Sequence, residues 1–190
     1  MKNGGRARYA VFDDAMSAAA VEWLELEAEL RRAIEREDLQ PHYQPLTDLT
    51  TGRVVGVGAL VRWPRGAHVL VGPERFVPVA EESGLILPLG RWVLREACHQ
   101  ARAWRARGLH PELKVKVNLS AAEFAQPGLA EAIALTLRET GLEATALELE
   151  ITESVIMADA AATSAALHEL KRLGVRLAID DFGTGSSSLS

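Results

Sequence analysis

From Leu39 onward the chain alternates short β-branched runs with amphipathic stretches, and this alternation restricts its fold more than any other feature. A strand, a helix and a parallel strand join by a right-handed crossover, so repeating the unit builds a parallel α/β sheet, open or closed into a barrel. Residues 114–119 read as a strand and 129–140 as a helix stopped by Gly141. Residues 147–152 are the next strand, 160–173 the next helix, stopped by Gly174, and 175–179 the last strand, which runs into Asp180-Asp181-Phe182-Gly183-Thr184-Gly185.

The first half has a different pattern. Residues 42–49 and 53–63 read as two strands joined through Thr51-Gly52, a hairpin that makes the first strand antiparallel to its neighbour. Pro73 opens a helix through Glu82 that Gly84 closes, and a longer helix covers 89–107. Upstream, residues 7–12 read as a short extended piece, and Asp13 and Asp14 offer N-cap oxygens to a helix over 15–36. Its Trp23, Leu26, Leu30 and Ala33 form one apolar stripe, too short for a coiled-coil seam and better read as a face docked on the next domain.

The bulk numbers exclude several functions. With 190 residues, 48% apolar and 25% charged, the chain suits one sizeable globular core. A net charge of −5 argues against a nucleic acid polymer as partner, because such binding needs a basic surface, but leaves room for a small phosphorylated ligand held by an arginine or two. Cys98, among Leu94, Ala97 and Ala101, reads as a small core residue rather than a catalytic thiol. No apolar run approaches the ~20 residues of a membrane span, and no signal-peptide core stands behind the start, so the expected location is the cytoplasm.

The polar residues fall in a pattern of their own. Asn118, Glu150 and the pair Asp180-Asp181 each stand at or just past the C-terminal end of an expected parallel strand, the end that holds the active site in α/β folds. Oxygen donors without nearby cysteine or histidine suit a hard cation, Mg²⁺ or Mn²⁺, and adjacent aspartates leaning toward different ions would serve two-metal hydrolysis of a phosphodiester. Taken singly, such residues are more often turn formers or caps: Asn118-Leu119-Ser120 capping the next helix, Glu150 a solvated strand residue. Three placements at the same strand ends bring the metal-site reading level with that one.

The segments Tyr43-Gln44-Pro45, Gly56-Val57-Gly58-Ala59-Leu60-Val61-Arg62-Trp63, Val117-Asn118-Leu119-Ser120, Glu148-Leu149-Glu150-Ile151-Thr152-Glu153-Ser154 and Asp180 to Gly185 occur in the order seen in EAL domains, which the chain resembles over about 30–190. The resemblance implies a TIM-like (β/α) barrel with an antiparallel first strand, here with about five of its strands. It also implies hydrolysis of cyclic di-GMP to the linear dinucleotide pGpG with Mg²⁺ or Mn²⁺. Position by position, it makes Asn118, Glu150, Asp180 and Asp181 metal ligands, the last three catalytic, and Gln44 and Arg62 residues that hold the dinucleotide. Residues 2–12 are similar to the last strand of a GGDEF (diguanylate cyclase) domain, and the helix after them resembles a GGDEF–EAL linker. The implied division is a GGDEF remnant over 1–13, a linker helix over 14–37 and an incomplete EAL domain over 38–190, with a GGDEF domain upstream in the parent protein.

Three departures set the chain apart from that pattern. Gly58 replaces the motif glutamate and removes a carboxylate from the cation site, which weakens metal binding. The sequence ends at Ser190, ahead of the family's later lysine, glutamate and glutamine, and a full barrel takes roughly 250 residues. Ser186 stands where a tyrosine is usual. Strand alternation also puts Lys116 on the face of Asn118, in an inward layer with Gly56, Glu148 and Ala178. There it pairs with Glu148 or reaches into the space left by Gly58; the alternative is a solvated lysine pointing outward. The leading expectation is a catalytically inactive phosphodiesterase domain. A cyclic di-GMP sensor is the second, and an interaction module, as a homodimer or against another EAL or GGDEF domain, is the third.

Overall fold

The computed structural model describes residues 14–66, 69–108, 110, 112–152, 155 and 160–180. The expected extended piece at 7–12, Asp13, Asp181 to Gly185 and Ser186 lie outside the described residues.

The strands are β1 (Gln40–Thr47), β2 (Val54–Arg65), β3 (Val69–Val71), β4 (Lys114–Leu119), β5 (Leu147–Thr152) and β6 (Arg176–Asp180). They form one sheet in the order β1-β2-β4-β5-β6, with β3 paired to β2 off this path. The β1–β2 pair is antiparallel as expected, while β2–β4, β4–β5 and β5–β6 are parallel. β3 is an addition to the expected elements: it pairs antiparallel with Trp63, Pro64 and Arg65 and so carries β2 two residues past its expected end.

The helices are α1 (Asp14–Glu35), α2 (Pro73–Ser83), α3 (Ile86–Ala106), α4 (Ala121–Phe124), α5 (Leu129–Thr140) and α6 (Ala160–Leu173). Pro73 stands in the first turn of α2, and Gly84 ends that helix at a φ of 75°, a left-handed conformation that glycine adopts without steric cost. α3 starts three residues before the expected Leu89, because Pro88 falls in its first turn, where a missing backbone N–H costs nothing.

Alternation along the strands divides the sheet into two faces. Val57 and Ala59 of β2, Val115, Val117 and Leu119 of β4, and Leu147, Leu149 and Ile151 of β5 are buried in one cluster with Ala97, Cys98 and Ala101 of α3 and Ile133 and Leu137 of α5. Burial pushes the Cys98 thiol up to about 12, which fits a core residue and no nucleophile. A second cluster joins Leu26, Leu30 and Ala33 of α1 to Trp63, Phe76, Val79, Leu89 and Trp92, with Trp23 half-buried against it. The stripe on α1 is therefore a docked face. Arg65 braces it, reaching Glu29 at 2.6 Å while its guanidinium lies 5.4 Å from the Trp63 ring centroid.

Candidate functional site

With the apolar residues of β4 and β5 turned toward the helices, Lys114, Lys116 and Asn118 and then Glu148, Glu150 and Thr152 occupy the opposite face. The strand register arranges them in rows. Gln44 is opposite Gly58, Gly58 opposite Lys116, Lys116 opposite Glu148, and Glu148 opposite Arg176. One step toward the strand ends, Asn118 is opposite Glu150 and Glu150 opposite Ala178; one step further, Thr152 is opposite Asp180.

Asn118, Glu150, Thr152 and Asp180 line one cavity of about 470 Å³, together with Leu60 of β2 and Glu123 of α4. Three of the four expected metal ligands thus come to one mouth; Asp181 lies outside the described residues. Gln44 and Arg62 share the inward face, but neither is among the described residues lining that cavity. Gln44 faces inward because Tyr43, its neighbour, packs outward, edge-on to Trp104 with ring centroids 4.8 Å apart. The Tyr43 hydroxyl is pushed up to about 12, first by burial and then by Glu96 and Cys98. Arg62 donates from Nη1 to the Val61 carbonyl at 2.9 Å.

Lys116 takes an unexpected partner. Its ammonium bonds the Glu150 carboxylate, not that of Glu148 directly opposite. A lysine stem is long enough to run one two-residue step along the sheet, and the row it climbs toward offers Glu150 beside uncharged Asn118. On the other side of Lys116, a Cβ built on Gly58 would meet nothing closer than the Gln44 carbonyl oxygen at 4.0 Å. The outward orientation is excluded, since Val115 and Val117 fill that face at 0% and 3% exposure.

The helix-cap reading of 118–120 belongs to Ser120 alone. Its hydroxyl accepts from the Glu123 backbone N–H at 3.3 Å, while the Glu123 carboxylate accepts from the Ser120 N–H at 3.0 Å and its hydroxyl at 2.5 Å. Glu123 is a residue of the mouth that the strand-end pattern does not pick out, although Ser-x-x-Glu at 120–123 is a readable capping signature. Burial raises its carboxyl above the usual range against the opposing pull of the two Ser120 bonds and Arg91. The side chain rests on Gly90 of α3, where an added Cβ would come within 1.7 Å of Glu123 Oε1.

The described residues of this set, by themselves, fit a divalent ion poorly. Among the described residues no three aspartate, glutamate, histidine or cysteine side chains converge to hold a metal. The best-placed carboxylate, Glu150, already holds the Lys116 ammonium, and Gly58, opposite Lys116 on β2, brings no carboxylate.

The family model described as "EAL domain" matches residues 27–190. The chain belongs to the EAL domain family. This EAL domain is 46% identical over 188 residues to the bifunctional diguanylate cyclase/cyclic di-GMP phosphodiesterase MucR of Pseudomonas aeruginosa, an overlap of 99% of the chain and 27% of MucR. It is 41% identical over 186 residues to the cyclic di-GMP phosphodiesterase NbdA of the same organism, covering 98% of the chain and 24% of NbdA. The solved structure of PaMucR phosphodiesterase in its c-di-GMP complex superposes with a TM-score of 0.81 at 46% identity, over 86% of this chain and 66% of that one. The EAL domain thus spans about a quarter of the length of these curated relatives, and its α/β sheet has the TIM-like architecture expected from its sequence.

Proposed function

We propose that this domain handles cyclic di-GMP without hydrolysing it. The observation that carries the reading is the Lys116 ammonium on Glu150, at the mouth where the family's chemistry needs carboxylates free for Mg²⁺ or Mn²⁺, with side-chain-free Gly58 opposite Lys116 on β2. Such ions, when bound, polarise a phosphodiester and activate water. Asn118, Glu150, Asp180 and Asp181 are the residues proposed to face them, but position 58 brings no carboxylate and Glu150 is engaged. Binding makes smaller demands. Arg62, on the inward face, needs only to release the Val61 carbonyl to present its planar fork to a phosphate, and Gln44 opposite Gly58 borders the same face. Likeness to MucR and to its cyclic di-GMP complex supports this ligand.

The proposal extends to the rest of the chain. Residues 1–13 are read as the end of a GGDEF domain, 14–37 as a linker helix and 38–190 as the EAL domain, so that α1, docked through Leu26 and Leu30, is the element joining the domain to a cyclase upstream. A cytoplasmic location is part of the same reading. Among the described residues no helix is long and apolar enough to cross a membrane.

Equilibrium dialysis with labelled cyclic di-GMP, then chromatography after incubation with Mg²⁺ or Mn²⁺, tests it. Saturable retention with no linear pGpG is the expected result. Product formation would refute the loss of hydrolysis, and absence of binding would leave only an interaction role.

A further inference from the structure

We infer that Lys116 is a resident cation of this mouth: its ammonium holds Glu150 where a divalent ion would otherwise bond that carboxylate, so the site is charge-compensated without metal. The inference deepens the non-hydrolysing reading, yet it stands or falls on metal affinity rather than on turnover.

Its first support is placement. Lys116 lies between Gly58 and Glu148 in register, and its side chain climbs past Glu148 to Glu150 on the row of Asn118. The two side chains are only 24% and 11% exposed, so water screens their attraction weakly. A divalent ion approaching Glu150 must therefore displace an ammonium that β4 keeps within a few ångströms, and it meets like-charge repulsion if it succeeds.

The second support is the charge balance on the inward face. With carboxylate at position 58 and a neutral residue at 116, a divalent ion would bring two positive charges to the mouth. Here glycine removes one negative charge and lysine adds one positive charge. The two changes sum to the charge of the ion they make unnecessary. The same face continues the pattern, with Glu148 set between Lys116 and Arg176.

The geometry also predicts how the two positions couple. A Cβ at position 58 meets nothing closer than 4.0 Å, and a glutamate there would stand directly opposite Lys116 and become a second carboxylate for the same ammonium. Gly58→Glu alone should therefore recover little metal affinity.

Titration of the chain with Mn²⁺, reading free ion by electron paramagnetic resonance, decides the matter. Wild type and Lys116→Arg are expected to bind Mn²⁺ equally weakly. Lys116→Met, which keeps the stem and loses the charge, should bind at least roughly tenfold more tightly, and Lys116→Met/Gly58→Glu about tenfold more tightly again. Circular dichroism melting checks that each variant is folded, with Lys116→Gln read in place of Lys116→Met if the latter is not. Wild type binding Mn²⁺ as tightly as the folded charge-loss variant would overturn the inference while leaving absence of turnover untouched. Turnover of cyclic di-GMP by wild type would instead remove the functional reading on which it rests.

Discussion

The two faces of β4 and β5 carry almost opposite chemistry on the same twelve residues. On one, Val115, Leu147 and Leu149 are completely buried and Val117, Leu119 and Ile151 nearly so. On the other, three lysine or asparagine side chains face two glutamates and a threonine, none of them fully buried. The apolar face is fixed by the need to exclude water. The polar face contributes little to that core and is free to set the charge of the mouth. Stability and function are thus separated by a rotation of the peptide, one residue at a time.

Several substitutions would break or sharpen this contrast. The largest effect is expected on the apolar face: Leu149→Ala should cost about 2–5 kcal/mol in urea denaturation, through lost burial and the cavity left behind. Glu148→Gln, its neighbour on the other face, should stay within about 0.5 kcal/mol of wild type. Equal losses would show that the polar face is structural after all.

Next come two glycines of β2. A Cβ on Gly56 would sit 3.0 Å from the Lys114 carbonyl oxygen, which is backbone and cannot yield cheaply, whereas Gly58 has open space. Gly56→Ala should lose about 1–3 kcal/mol by overpacking, while Gly58→Ala should be neutral or slightly stabilising. Equal losses in the two thermal melts would show that strand approach explains both glycines, and no loss in either that it explains neither.

The smallest effect concerns Glu123 at the rim. Its folded carboxyl keeps its proton to higher pH than an unfolded one, so its contribution to stability is complete below the ordinary glutamate value, about 4.3, and is lost as pH rises through the raised folded value. Glu123→Gln keeps the capping geometry and removes the ionisation. Its melting temperature should match wild type at about pH 4 and exceed it slightly at about pH 8. The opposite trend would mean that the Ser120 bonds outweigh burial.

Much of the fold is legible in the sequence, for identifiable reasons. β4, β5, α5 and α6 fall where alternation and the stops at Gly141 and Gly174 put them, because period and left-handed glycine ends are local properties. β3 is not legible, because Val69-Leu70-Val71 is a strand only through its pairing with the end of β2. At the site, the gathering of Asn118, Glu150 and Asp180 follows from their shared position at strand ends. The place of Glu123 depends on Gly90, a residue of another helix that leaves it room, and no local pattern carries that information.

What the sequence determined by itself was the periodicity: which residues turn toward the helices, which turn inward, and that Gly58 brings no carboxylate. Only the tertiary structure decided that Lys116 meets Glu150 rather than Glu148. Both glutamates lie on the same face two residues apart, so alternation treats them alike. The choice depends on how far a flexible side chain climbs across strand register, and that distance exists only once the sheet has formed.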